Sequence, residues 1–224
     1  MENTYKTIAE KAEGLYKEKG SRFLAFGFPV SDESEIKSIL FSLRKKYHDA
    51  RHHCYAYRIG TDPFRYRAND DGEPPGTAGK PIYGQIVSHD LTNILIVVVR
   101  YFGGTLLGTG GLVTAYRSAA ASMIAAAKLI EKSVMVTCRL TFPYSSFNGL
   151  MKILKEEGIE HIHPVYEMTC NITLSVPLSV FDRFIAKLSL MEGMTCERIS
   201  EDRAGGSNDL NSEGLTHIKK SAKT

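Results

Sequence analysis

His52, His53 and Cys54 stand together in a stretch that runs from Tyr47 to Arg58. An imidazole beside a thiol can draw off its proton, and the thiolate is the nucleophile. His48, His52 and Cys54 are also ligand types that zinc accepts. Neither arrangement has its usual partner spacing. A packed Cys54 with locally hydrogen-bonded histidines competes with both. Asp70, Asp71 and Glu73 put three carboxylates beside a turn, a set that suits Mg²⁺ or simply a solvated acidic turn. Gly76 to Lys80 departs from the phosphate-loop pattern, because Pro81 stands where a hydroxyl must follow the lysine.

The stretch from Arg100 to Gly111 says more. An aliphatic run, Ile94 to Val99, delivers the chain into glycines at 103, 104, 108, 110 and 111, and a helical pattern starts just after. Free N–H groups at such a helix start attract anions, with Arg100, Lys80 and Arg117 available to add charge. Val113 replaces the third glycine of a dinucleotide fingerprint. Glycines that merely permit tight turns are the competing explanation. We expect His52, Cys54, Asp71, Glu73, Lys80, Arg100, Gly103, Gly104, Gly110 and Gly111 to gather into one ligand-binding site. Its occupant would be a phosphate-containing ligand. No metal, cofactor or catalytic residue is assigned.

The elements that must position these residues follow from periodicity. Arg22–Val30 reads as a strand. Asp32 and Glu35 form an N-cap pair for a helix carrying Ile36, Ile39, Leu40 and Leu43 and ending near Tyr47. His52–Ile59 reads as a strand, with His52, Cys54, Ala56 and Arg58 on one face and His53, Tyr55, Tyr57 and Ile59 on the other. Arg65–Ala68 pairs with it across a turn. A loop to Lys80, a short helix to His89, a buried strand Asn93–Arg100 and an alanine-rich helix Gly110–Leu129 complete this half.

The second half contains an internal repeat. Val136, Cys138, Leu140 and Phe142 alternate with polar residues, and Cys170, Ile172, Leu174 and Val176 do so 34 residues later. Phe147, Leu150, Met151 and Leu154 follow at helical spacing, matched at the same shift by Phe181, Phe184, Ile185 and Leu188. Ser145 and Ser179 are the expected N-caps. A weaker strand, Ile159 to Val165, closes the first copy. Two βαβ copies in one register make a ferredoxin-like βαββαβ domain. The fold class is therefore α+β in two domains: residues 1–132, residues 133–200, and a mobile polar tail over 201–224.

The 224 residues carry 28 Lys and Arg against 25 Asp and Glu, a net +3 too small to announce a nucleic-acid binder by itself. The excess is uneven. Residues 1–132 hold 18 basic and 14 acidic residues, whereas residues 133–224 hold 10 and 11. No run approaches the ~18 apolar residues of a membrane helix, so no membrane partner is expected. No export signal precedes the four cysteines, which are read as reduced thiols of a cytoplasmic protein.

Four segments together resemble the IMPACT family in its bacterial YigZ-type branch. They are His52-x-Cys54-x-Ala56-Tyr57-Arg58, Asp70 to Pro74, Gly76 to Pro81, and Arg100 to Val113. Pro75 departs from the Ser or Thr usual in the family, and Asp49-Ala50-Arg51 departs before His52. The resemblance implies that the first domain is like the second domain of ribosomal protein five of the small subunit. It implies that the ferredoxin-like domain is akin to the last domain of elongation factor G. It further implies a cytoplasmic regulator of translation that contacts RNA, the ribosome or a translation factor. It brings no established reaction. An enzyme acting on a small phosphorylated or nucleotide-like ligand is the alternative.

Overall fold

A computed structural model describes residues 3–61, 63–159 and 169–199. The chain divides into two compact units, Thr4–Lys132 and the residues from Ser133 onward together with Asn3. The first unit contains β1 (Thr4–Ile8), β2 (Ala12–Glu18), β3 (Ser21–Pro29), α1 (Glu33–Lys46), β4 (His52–Ile59), β5 (Arg65–Asn69), α2 (Gly79–Ser88), β6 (Ile94–Tyr101), α3 (Gly108–Ala126) and β7 (Leu129–Ser133). Five of its strands form one sheet in the order β2-β3-β6-β4-β5, and β1 pairs with β7. Every pairing within the five-stranded sheet is antiparallel.

The alternation on β4 divides the core in two. Cys54 and Ala56 join Phe23, Ala25, Ile96 and Val98 beneath α2 and α3. Tyr55, Tyr57 and Ile59 join Leu95, Val97 and Val99 beneath α1. β6 is buried on both faces because it lies at the sheet's centre, which is why Ile94–Val99 shows no polar face. Asp32 caps α1 by accepting from the Ser34 and Glu35 N–H groups at 2.8 and 2.9 Å. Glu35 returns the contact to the Ser31 N–H at 3.0 Å.

Helix α3 crosses the sheet at close range. Ala115, Ala119 and Ala120 are fully buried. At Gly14 of β2 an added Cβ would stand 2.4 Å from the Met123 backbone nitrogen, so the strand can pass the helix only as glycine. Strands β1, β2 and β7 were not expected from the sequence. β2 alternates between half-buried and exposed residues and carries no apolar run.

The second unit contains β8 (Met135–Pro143), α4 (Phe147–Glu157), β9 (Thr169–Pro177), α5 (Leu178–Leu188) and β10 (Thr195–Arg198). β8 is central and pairs antiparallel with β9 and β10. The repeated residues share one core. Cys138, Leu140, Phe142, Leu150 and Leu154 pack with Ile172, Leu174, Val176, Phe184 and Leu188. Phe147 and Phe181 are only partly buried against that cluster; the repeat buries Leu150 with Phe184 and Leu154 with Leu188 instead. The serine caps are corrected too. Ser146 precedes α4 without a side-chain cap bond, and Pro177 precedes α5, which takes Ser179 into its first turn. Most of the expected strand from Ile159 to Val165, and the tail over 201–224, lie outside the described residues.

Candidate functional site

β4 and β6 are neighbours in register, with His52 opposite Arg100 and Cys54 opposite Val98. His52, Cys54 and Arg100 thus share the sheet face that α3 covers. Asp71 and Gly72 adopt φ of +42° and +86°, and the Glu73 N–H donates to the Asp70 carbonyl at 2.9 Å. This tight turn swings Glu73 inward over the same face.

Glu73 is the hub. Its Oε1 accepts from Arg100 Nη1 at 2.6 Å and from the Tyr116 hydroxyl at 2.7 Å. Glu73 and Arg100 are 8% and 6% exposed, which makes them a buried ion pair. Phe23 and Phe102 lie against the Arg100 guanidinium at 5.5 and 5.7 Å. Cys54 Sγ lies 2.9 Å from the Asp70 carbonyl, which accepts its S–H, and 3.3 Å from the Tyr116 hydroxyl. Burial pushes the thiol far above its ordinary value, so it stays protonated at neutral pH. His52 donates its Nδ1–H to the Asp71 carbonyl at 2.8 Å, and its Nε2 stands 3.9 Å from Glu73 Oε1.

The other two acids of the turn are engaged as well. Asp70 Oδ1 accepts from the Ala78 and Gly79 N–H groups at 2.9 and 2.8 Å, and Oδ2 accepts from Gly76 N–H at 2.9 Å. The anion at the start of α2 is therefore the chain's own carboxylate. Asp71 accepts from Arg44 at 2.8 Å and from the His53 N–H at 2.7 Å. Burial lowers the His53 imidazole below its ordinary value, and its Nε2 has no partner. Among the described residues no three His, Cys, Asp or Glu side chains are placed to share a metal ion.

The fold thus brings His52, Cys54, Glu73 and Arg100 together, with Asp71 holding the turn beside them. Lys80 lies elsewhere, exposed on α2. Gly103 is a structural contact: its added Cβ would collide with Gly20 and Ser21, and its N–H donates to Ser21 Oγ at 3.1 Å. Gly104 is exposed with φ of +86°, and Gly110 and Gly111 form the first turn of α3. Tyr116, Asp70 and Arg44 were not among the expected site residues. Tyr116 has a signal, as the lone phenol on the alanine face of α3. Arg44 has none, because it reads as one more cation in the last turn of α1.

These features define a two-unit α+β protein. Its central polar cluster is bonded to itself, and its first unit carries a glycine-rich loop at a helix start. The sequence profile of the Impact N-terminal domain matches residues 19–124, from the turn before β3 through most of α3. IMPACT family member YigZ of Escherichia coli is 34% identical over 173 residues, covering 76% of this chain and 85% of that protein. IMPACT family member YvyE of Bacillus subtilis is 33% identical over 165 residues, 73% of this chain and 76% of its own. This chain belongs to the IMPACT family. A crystal structure of a hypothetical protein, 29% identical, superposes with a TM-score of 0.69 over 90% of this chain and 100% of that one. Among the described residues no helix is long and apolar enough to cross a membrane.

Proposed function

We propose that this chain is a cytoplasmic, translation-associated binding protein rather than an enzyme, and that its first unit contacts RNA. One observation carries the reading: the groups that looked reactive are occupied by one another. The Cys54 thiol stays protonated, Glu73 is held by Arg100 and Tyr116, and Asp70 and Asp71 hold the turn and α2. That arrangement stiffens a scaffold and leaves none of these groups free to act as a nucleophile. It also turns acidic groups inward, so the surface of this unit is governed by its excess of Lys and Arg. Family membership supports the link to translation. In this reading the first unit has the fold of the second domain of ribosomal protein five, and the second unit is ferredoxin-like and akin to the last domain of elongation factor G. All four cysteines are free thiols, as a reducing compartment requires.

The test is binding of the purified full chain to unstructured RNA and to ribosomal subunits. With three or more phosphates engaged, affinity falls by more than about tenfold between about 50 and 200 mM salt. A chain ending at Lys132 keeps most of the RNA affinity, because the basic excess lies there. Affinity that resides wholly in residues 133–224 contradicts the reading. The enzymatic alternative draws on one observation: His52 Nε2 faces Glu73 beside an Arg100 Nε that is buried without a partner. Turnover of a phosphorylated small molecule that is lost in His52→Gln would establish it.

A further inference from the structure

Strand β5 is the edge of the five-stranded sheet, and its sequence, Arg65-Tyr66-Arg67-Ala68-Asn69, is solvent-exposed along most of its length. Phe64 immediately precedes the strand and Tyr66 is its second residue. They are 43% and 59% exposed, with ring centroids 6.3 Å apart. Tyr66 stacks on Tyr83 of α2 at 4.6 Å and 20°. Arg58, the cross-strand partner of Tyr66, places its guanidinium 4.3 Å from the Phe64 ring centre. Lys80 precedes Tyr83 by one helical turn and is exposed; Arg67, the partner of Tyr57, points to the opposite face of the sheet. Among the described residues the carboxylate paired with this group is Asp90, 3.6 Å from Arg58 and itself 66% exposed.

A core has no use for such an arrangement. Stacking on Tyr83 fixes the Tyr66 ring and leaves its other face to solvent. Arg58 holds Phe64 in the same way. Pre-oriented exposed rings set among cations are the chemistry that receives nucleic-acid bases: each base offers a π-face, and the flanking cations meet the phosphates. Among the described residues Arg58 and Lys80 stand against Asp90, a balance that disfavours a basic partner and suits a polyanion.

We propose that Phe64, Tyr66 and Tyr83 form a stacking platform for the bases of single-stranded RNA, with Arg58 and Lys80 meeting its phosphates. The proposal rests on the RNA-binding reading above and names its surface. It lies apart from the Glu73 cluster and does not use it.

The chain contains no tryptophan, so Tyr66→Trp in the full-length protein introduces a single reporter. Titration with a single-stranded oligouridylate should quench its fluorescence to saturation. In the otherwise native chain, Phe64→Ala and Tyr66→Ala should each weaken binding of a labelled oligouridylate between about fivefold and a hundredfold. Tyr66→Phe should restore it. Lys80→Ala should reduce the slope of log affinity against log salt by about 0.7. An RNA duplex of the same length should bind less well. If labelled RNA binds but the reporter is not quenched and Tyr66→Ala binds normally, the platform is wrong and the broader reading stands. If no RNA binds at low salt, both fall. Normal RNA affinity in Tyr66→Ala with loss of a protein partner makes this a protein-docking face, and overturns the proposal too.

Discussion

Glu73 takes two hydrogen bonds on one oxygen while almost wholly shielded from water, and among the described residues it is the one carboxylate paired with Arg100. Removing the acid leaves a buried guanidinium uncompensated. Glu73→Ala should therefore destabilise the protein by about 3–5 kcal/mol in urea unfolding, and Glu73→Gln by less. A cost below about 1 kcal/mol would show that water fills the cluster. His53 works in the opposite direction. Burial holds its imidazole below the usual value, against the pull of Asp71, with Arg44 and His52 adding to the depression. The unfolded chain takes up this proton near pH ~6.5, whereas the folded chain resists it. Stability from this residue is thus whole above that pH and declines as the pH falls toward the folded value. Urea midpoints at pH 7.5 and 5.5 should diverge more in the native chain than in His53→Gln. Parallel declines would mean that His53 is not held neutral.

Helix α3 and strand β2 meet at a point where one atom decides the spacing. An alanine at Gly14 would press its Cβ against the Met123 nitrogen and Cα at 2.4 and 2.7 Å, both backbone, so nothing flexible can yield. Gly14→Ala should cost about 1–3 kcal/mol as overpacking. Gly84→Ala on α2, with nothing within 4 Å, should gain about 0.5–1 kcal/mol in the same assay. A neutral Gly14→Ala would show that α3 floats on the sheet. Elements with strong period were legible in the sequence: β4 and β6, the Asp32 cap of α1, and the 34-residue repeat. β2 escaped because an edge strand under one helix buries only alternate side chains, and partially. The site was half legible for a related reason. Alternation on β4 and β6 puts His52, Cys54 and Arg100 on one face from spacing alone. Lys80 shares its segment with Glu73, but a turn at Asp71–Gly72 and a helix start at Gly79 send the two in different directions. No local pattern encodes that divergence.

At the scale of the whole molecule, charge and topology are divided between the units. The first has the basic excess, the aromatic edge and the glycine-rich loop; the second has a compact repeated core and a balanced charge. The acidic turn that ties the first unit together also governs how the molecule ages. An aspartate followed by glycine is among the weakest points of any chain. The glycine amide nitrogen attacks the aspartyl carboxyl carbon, water leaves, and the resulting five-membered imide reopens largely to an isoaspartyl link that adds a backbone atom. In the folded chain Asp71 holds one oxygen on Arg44 and the other on the His53 N–H, so closing that ring would break both bonds. The Asp71–Gly72 link therefore keeps time differently in the two states, and isoaspartate at this position records the hours a molecule has spent unfolded.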